Sequence, residues 1–183
     1  MTKDNPVLLD KGIQELQTLL SELTMLDSVY GRAHKRALRN DNTESTYPAL
    51  YTGAGEYMSL LPNDALGNYC FVEIDDPQTS IAVSPSLMGL RVRASLVVWF
   101  NVATIYSDDT MLYTEEVKEI LLRQLFKRGV MKHTSIEVLT VHEKPENVFR
   151  YNIRQIDDQY LLYPYHGFRI EFNLTVREEC FGN

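Results

Sequence analysis

The residues HGFRIEFNLTVREEC, His166 to Cys180, alternate in polarity almost without fault. Successive side chains of a β-strand point to opposite faces. Phe168, Ile170, Phe172, Leu174 and Val176 therefore share one face, while Arg169, Glu171, Asn173, Thr175 and Arg177 share the other. A second alternation runs through LRVRASLVVWFNVATIY, with Val92, Ala94, Leu96, Val98, Phe100 and Val102 on one side. Its other side begins polar at Arg91, Arg93 and Ser95 but turns apolar at Val97, Trp99, Ala103 and Ile105. Leaving Val97 and Trp99 in water would forfeit about 1.5–3 kcal/mol each. The far half of this strand, read over residues 90–106, is thus expected to be central and covered on both faces.

The remaining elements are read from helical spacing and caps. Leu9, Ile13, Leu16, Leu20 and Leu23 form one stripe, and Pro6 suits a first turn behind the capping residues Asp4 and Asn5, so the spacing predicts a helix from about Pro6 to Asp27. A second helix is expected over Thr114 to Arg128. Thr114 stands as its N-cap, Glu115 and Glu116 lie in its first turn, and Lys127 and Arg128 precede Gly129. Its core stripe is Val117, Ile120, Leu121 and Leu125, widened by Leu122 and Phe126. Tyr69 to Ile74 reads as a strand stopped by the Asp75-Asp76-Pro77 turn. Residues 134–143 read as another, with Ile136 and Val138 opposing Leu139 and Val141. The stretch at 145–167 is open between a short helix and a structured loop, and its tyrosines call for packing. Residues 42–88 carry short extended pieces joined by loops at Gly53–Gly55 and Pro62–Asn63, and read as a loop-rich insertion.

With 183 residues and 44% hydrophobic content, the chain can bury roughly two thirds of its unfolded surface as a single domain, 1–183. A net charge of −7 disfavours general coating of nucleic acid. Cys70 and Cys180 are too few for a disulfide framework or structural zinc site and are expected to be reduced thiols. Neither a leader peptide nor a membrane-spanning run of roughly eighteen apolar residues is read.

No motif here specifies catalysis, a cofactor or a metal. The acidic doublets Asp75-Asp76, Asp108-Asp109, Glu115-Glu116 and Asp157-Asp158 sit at turns or a helix start without calcium-loop spacing. His34, His133, His142 and His166 are scattered, and TGAGEY lacks the residues of a phosphate cradle. The one concentration of positive charge is SVYGRAHKRALRN, with Arg32, Lys35, Arg36 and Arg39. Its default reading is a solvated helix face, and its functional reading is a contact with acidic patches or DNA.

In order, these elements make an α+β fold: a mostly antiparallel sheet with two main helices packed on one face. That order resembles the tail-terminator and tail-completion proteins of tailed bacteriophages, including the neck proteins that join head to tail. The likeness covers Pro6 to Leu26 and Leu90 to Glu179, with TEEVKEILLRQLFKRG between strands and YHGFRIEFNLTVRE as the closing strand. The resemblance implies a non-enzymatic virion protein that forms a homo-oligomeric ring at the neck or tail end, stacked on portal, neck or tail-tube proteins. It implies no cofactor and no membrane, assembly in the host cytoplasm, and non-specific contact with DNA in a channel. Arg32, Lys35, Arg36, Arg39, Arg169, Glu171 and Arg177 are then the candidate subunit or channel contacts. A phage-like injection or secretion apparatus would use the same design. The competing class is an enzyme or small-molecule-binding domain with a pocket under the middle loops, marked by a polar cluster such as His166 near Asp157 or Glu143.

Overall fold

The two alternating segments become the two longest strands of the chain and pair with each other along their whole length. The computed structural model describes residues 4–40, 43–75, 78–84, 87–108, 110–127, 131–151 and 161–179. In chain order the elements are α1 (Leu9–Leu20), β1 (Ser28–Asn40), β2 (Thr43–Gly53), β3 (Glu56–Ser59), β4 (Tyr69–Ile74), β5 (Thr79–Ser84) and β6 (Leu87–Asn101). There follow α2 (Val102–Ile105), α3 (Thr114–Leu125), β7 (Thr134–His142), α4 (Pro145–Val148) and β8 (Tyr165–Glu179). The strands lie in the order β3, β2, β1, β4, β6, β8, β7, with β5 also pairing β6. All pairings are antiparallel except β1 with β4. The α+β class with a mostly antiparallel sheet is therefore as expected.

Alternation on β6 and β8 divides the interior into two layers. On one face, Leu9, Ile13, Leu16 and Leu20 of α1 and Val117, Leu121 and Leu125 of α3 pack on Val92, Leu96, Val98, Phe168, Ile170 and Phe172. α1 approaches closely enough at Gly12 that a Cβ there would collide with Val176 of β8. On the other face, Val97 and Trp99 are buried with Tyr69, Phe71, Leu60, Val148 and Phe149, so this half of β6 is covered on both sides as its sequence required. Trp99 stacks on Tyr165 at 5.2 Å between ring centroids, and the Tyr69 hydroxyl donates to the Leu60 carbonyl at 2.9 Å. Buried Asn68 ties several elements together. Its amide NH2 donates to the Met25 carbonyl and Thr104 Oγ1, and its side-chain oxygen accepts from the Asn101 backbone N–H.

Several expectations are corrected. The first helix begins at Leu9 and ends at Leu20, because Leu8 enters it with a left-handed φ of 47° and Ser21 closes its last turn. The long strand stops at Asn101, whose side chain accepts from the Ala103 N–H and starts the short helix α2. Tyr113, not Thr114, is the N-cap of α3, and Ile120 and Phe126 are exposed instead of completing the core stripe. Residue Arg128 lies outside the described residues. A bulge between Val138 and Thr140 resets the alternation of β7. Val141 thereby joins Ile136 and Val138 against the helix-side core, while Leu139 turns to solvent. Residues 28–40 form a strand, not a helix. Residues 42–88 hold four strand segments, of which β4 lies inside the sheet between β1 and β6.

Because one sheet joins the two layers, damage to one should be felt in the other. Phe172→Ala, on the helix side, is expected to cost about 3–5 kcal/mol by cavity formation. The midpoint of the Trp99 fluorescence transition in urea, reporting from the opposite face, should fall together with the far-ultraviolet circular dichroism midpoint. A fluorescence transition left unmoved would mean two independent units.

Candidate functional site

The second face of the sheet changes character along β6 and β8. Register places Glu73 beside Ser95, Ser95 beside Glu171, and Glu171 beside Thr140, a polar row crossing β4, β6, β8 and β7. One step along, Phe71, Val97, Arg169 and His142 form the next row. Residues 148–151 roof this region from above: Val148 and Phe149 are buried, and the Val148 carbonyl accepts from Arg169 Nε at 3.0 Å.

Arg169 is only 1% exposed, and its Nη1 pairs with Glu73 Oε2 at 2.6 Å. Burial pushes the Glu73 carboxyl up, and the Arg169 charge and hydrogen bond partly oppose that shift. Glu171, 2% exposed, accepts from Arg93 on one oxygen and from Arg150 on the other, with His142 Nε2 at 3.2 Å. Burial alone would raise the Glu171 carboxyl, but the hydrogen bonds and charges of Arg93 and Arg150 hold it at about 2. A carboxylate this firmly ionised and this fully donated to is unsuited to general acid–base work near neutral pH. Arg169 and Glu171, expected on an open polar face, are instead buried in ion pairs within the subunit. Among the candidate residues of β8, only Arg177 is exposed.

Ile74, Asp75, Arg93, Thr140, His142, Arg150 and Glu171 line an open basin of about 740 Å³ above this network. The basin rests on β4, β6, β7 and β8, not on the loops of residues 42–68. His166 is half-buried elsewhere, against Phe100, and desolvation pushes its titration down. Glu143 acts on it only as a distant charge in the opposite direction, and Asp157 and Asp158 lie outside the described residues. Burial pushes the Cys70 thiol up to about 12, which makes it inert as a nucleophile. Asp108 is a turn residue, accepting from Thr110 and the Tyr113 hydroxyl. Among the described residues, no group of three His, Cys, Asp or Glu side chains could hold a metal ion, and no helix is long and apolar enough to cross a membrane.

The basic segment takes a different form. β1 pairs with β4 only over Ser28 to Arg32, and from Ala33 to Asn40 its strand partner is β2. This half of β1 and its partner residues 43–50 form a two-stranded arm beyond the sheet's parallel junction. Ala33, Leu50 and Met58 pack into the second-face core at the arm's base. The opposite side of the arm carries His34 and Arg36, and beside them at its base stand Tyr51 and Tyr57, paired with each other in the β2–β3 ladder. The Arg36 guanidinium sits 4.1 Å over the Tyr57 ring, Tyr51 lies 5.2 Å from it, and His34 meets it edge-on at 6.4 Å. His34 also feels the Asp10 charge of α1, which places this side of the arm with the helices. Lys35 and Arg36 are exposed, Arg32 is half-buried, and the backbone of Arg39 pairs with Glu44. The structure thus groups Arg32, Lys35, Arg36 and Arg39 on one arm, and separates them from Arg169, Glu171 and Arg177. The pairing of Arg169 and Glu171 was not legible because their partners Glu73, Arg93 and Arg150 are distant in sequence.

In comparisons with known proteins, no family model and no curated protein matches this sequence.

The Glu171 pairing has a defined pH signature. Its folded value of about 2 lies below the ordinary 4.5, so the pairing stabilises the fold fully above pH 4.5 and is lost as pH falls toward 2. Glu171→Gln should lower stability at pH 7 by about 2 kcal/mol, since both arginines keep partial solvent access. The gap between original and variant in urea denaturation should close between pH 4.5 and pH 2. A pH-independent gap would show that Glu171 acts by packing and not by charge.

Proposed function

We propose that the chain is a non-enzymatic, ring-forming structural subunit of the neck or tail end of a tailed bacteriophage, or of a phage-like injection apparatus. In that role it terminates the tail or connects head to tail. The observation that carries this reading is the β1–β2 arm. A two-stranded ribbon has little independent stability in water, yet this one extends from a well-packed body with basic and aromatic groups in the open. Such a feature is suited to a partner. The element order, a striped N-terminal helix, a long strand, a helix between strands and a long closing strand, supports the same assignment through its likeness to tail-terminator and tail-completion proteins.

The charged second face supports a structural role as well. Its charged groups pair within the subunit, Arg169 with Glu73, and Arg93 and Arg150 with Glu171, while Arg169 Nη2 and Ser95 Oγ are buried without a hydrogen-bond partner. The basin of about 740 Å³ favours a second reading, a small-anion site, because Arg93 and Arg150 both border it. That reading is the weaker, since both guanidiniums are already engaged by Glu171, which cancels one of their two charges, and Asp75 borders the same basin. In the proposed role, neighbouring copies, portal, neck or tail-tube proteins are the partners, the virion is the location, and no cofactor is used.

The test is direct imaging. Negative-stain electron microscopy and sedimentation velocity of the purified protein at rising concentration, alone and with the portal and tail-tube proteins encoded beside it, should give rings with a central hole. Strictly monomeric particles under all of these conditions would overturn the assignment.

A further inference from the structure

The arm and the most exposed apolar surface of the body stand at opposite ends of the molecule. β3, β2 and β1 end the strand order on one side, and β8 and β7 end it on the other. Above the sheet the helices follow the same direction. Gln17 of α1 donates to the Val29 carbonyl of β1 at 3.1 Å, and Gln124 of α3 donates to the Leu19 carbonyl of α1 at 2.6 Å. Lys118 of α3 pairs with Glu143, the residue after β7. Helix α3 therefore lies over the β7 end, away from the arm.

The outer surface of α3 is acidic in its first turns, where Glu115 and Glu116 are exposed, partly apolar, and carries an exposed ion pair, Glu119 with Arg123 at 2.7 Å. Glu116, Glu119 and Ile120 share a face at i, i+3 and i+4, and Ile120 is 38% exposed. Met111 and Leu112, in the loop leading into the helix, are 66% and 60% exposed. The arm offers the complement. Arg36, Tyr51 and Tyr57 combine the residue types that dominate the energetic centres of protein interfaces. Lys35 is exposed on the other side of the arm, the side of Ala33, and is not part of this patch. Arm and ridge lie at opposite ends of the strand order, on the helix side of the sheet, so within one copy they are held apart and they meet only between copies. Two different patches joined in this way make a head-to-tail contact, the kind that closes into a ring when the rotation allows.

We propose that the basic-aromatic side of the β1–β2 arm, centred on Arg36, Tyr51 and Tyr57, docks on the ridge of Met111, Leu112, Glu116, Glu119 and Ile120 of a second copy. The proposal rests on the ring reading above and names the surfaces that build the ring. The charge of the chain favours this occupant over nucleic acid. A protein at −7 with four of its 18 lysines and arginines on β1 presents each neighbour with a predominantly acidic body.

Charge reversal tests it in the full chain. Arg36→Glu on the arm, and Glu116→Lys with Glu119→Lys on the ridge, alter exposed side chains; thermal melting and circular dichroism check that each variant is folded. Arg36→Gln provides a milder arm variant. By sedimentation equilibrium at low salt, each reversal should weaken self-association by about tenfold or more, and combining the two should recover most of the loss. Rings that form undiminished in all of these variants would overturn the docking and leave the ring reading standing. An original protein that stays monomeric at every concentration, with and without portal and tail-tube proteins, would overturn both. Loss of binding to random-sequence duplex DNA in the arm variants, with self-association unchanged, would assign the arm to nucleic acid and overturn the proposal.

Discussion

Fifteen consecutive residue pairs join β6 to β8, from Leu87 with Glu179 to Asn101 with Tyr165, and the rest of the sheet is attached to that ladder. β4 and β5 pair with β6, and β7 pairs with β8. The ladder admits one register only, since a shift of one residue would carry Phe168, Ile170, Phe172 and Leu174 to the opposite face. Its helix-side face is apolar from Leu90 to Phe100 and from Phe168 to Val176 and must be roofed, which α1 and α3 do. Its other face is apolar around Val97 and Trp99 and polar from Ser95 toward Arg91, so one cover would not serve both halves.

The polar half is resolved by internal pairing. Arg169 and Glu171 would be costly to bury alone, and each has its partners within the subunit. Such pairing contributes more to a single arrangement of β4, β6 and β8 than to net stability, because desolvation offsets much of the attraction. It also removes these residues from the surfaces available to other molecules. The basic and aromatic groups of the β1–β2 arm, and the exposed apolar groups around α3, have no such roof of their own.

Legibility in the sequence followed contrast between faces. β6 and β8 were readable because apolar and polar residues alternate over many positions, β4 because a short apolar run meets the Asp75-Asp76-Pro77 turn, and α1 because its leucines keep one stripe. β1 was misread because His34 to Ala37 is exposed on an arm, where no buried face imposes a period of two, and because alanine, lysine and arginine favour helices in isolation. The bulge at Leu139 is a backbone event with no side-chain signature, so Val141 was placed on the wrong face. Ile120 and Phe126 looked like core because hydrophobicity alone does not tell a buried face from a contact face. The inward turn of Arg169 and Glu171 depends on Glu73, Arg93 and Arg150, residues that only the fold brings near. Of the candidate contact residues, the sequence located the basic cluster correctly but not the shape that carries it.

Hydrogen exchange measured across a range of protein concentrations tests the central claim most directly: a self-sufficient body with an arm reserved for another copy. In dilute solution the amides of Ala33 to Ala37 should exchange rapidly while those of Leu96 and Phe172 exchange only through global unfolding. At assembling concentrations the arm and the segment from Met111 to Ile120 should gain protection together. Arm protection that is already high when dilute, or that stays unchanged as the protein is concentrated, would contradict the account.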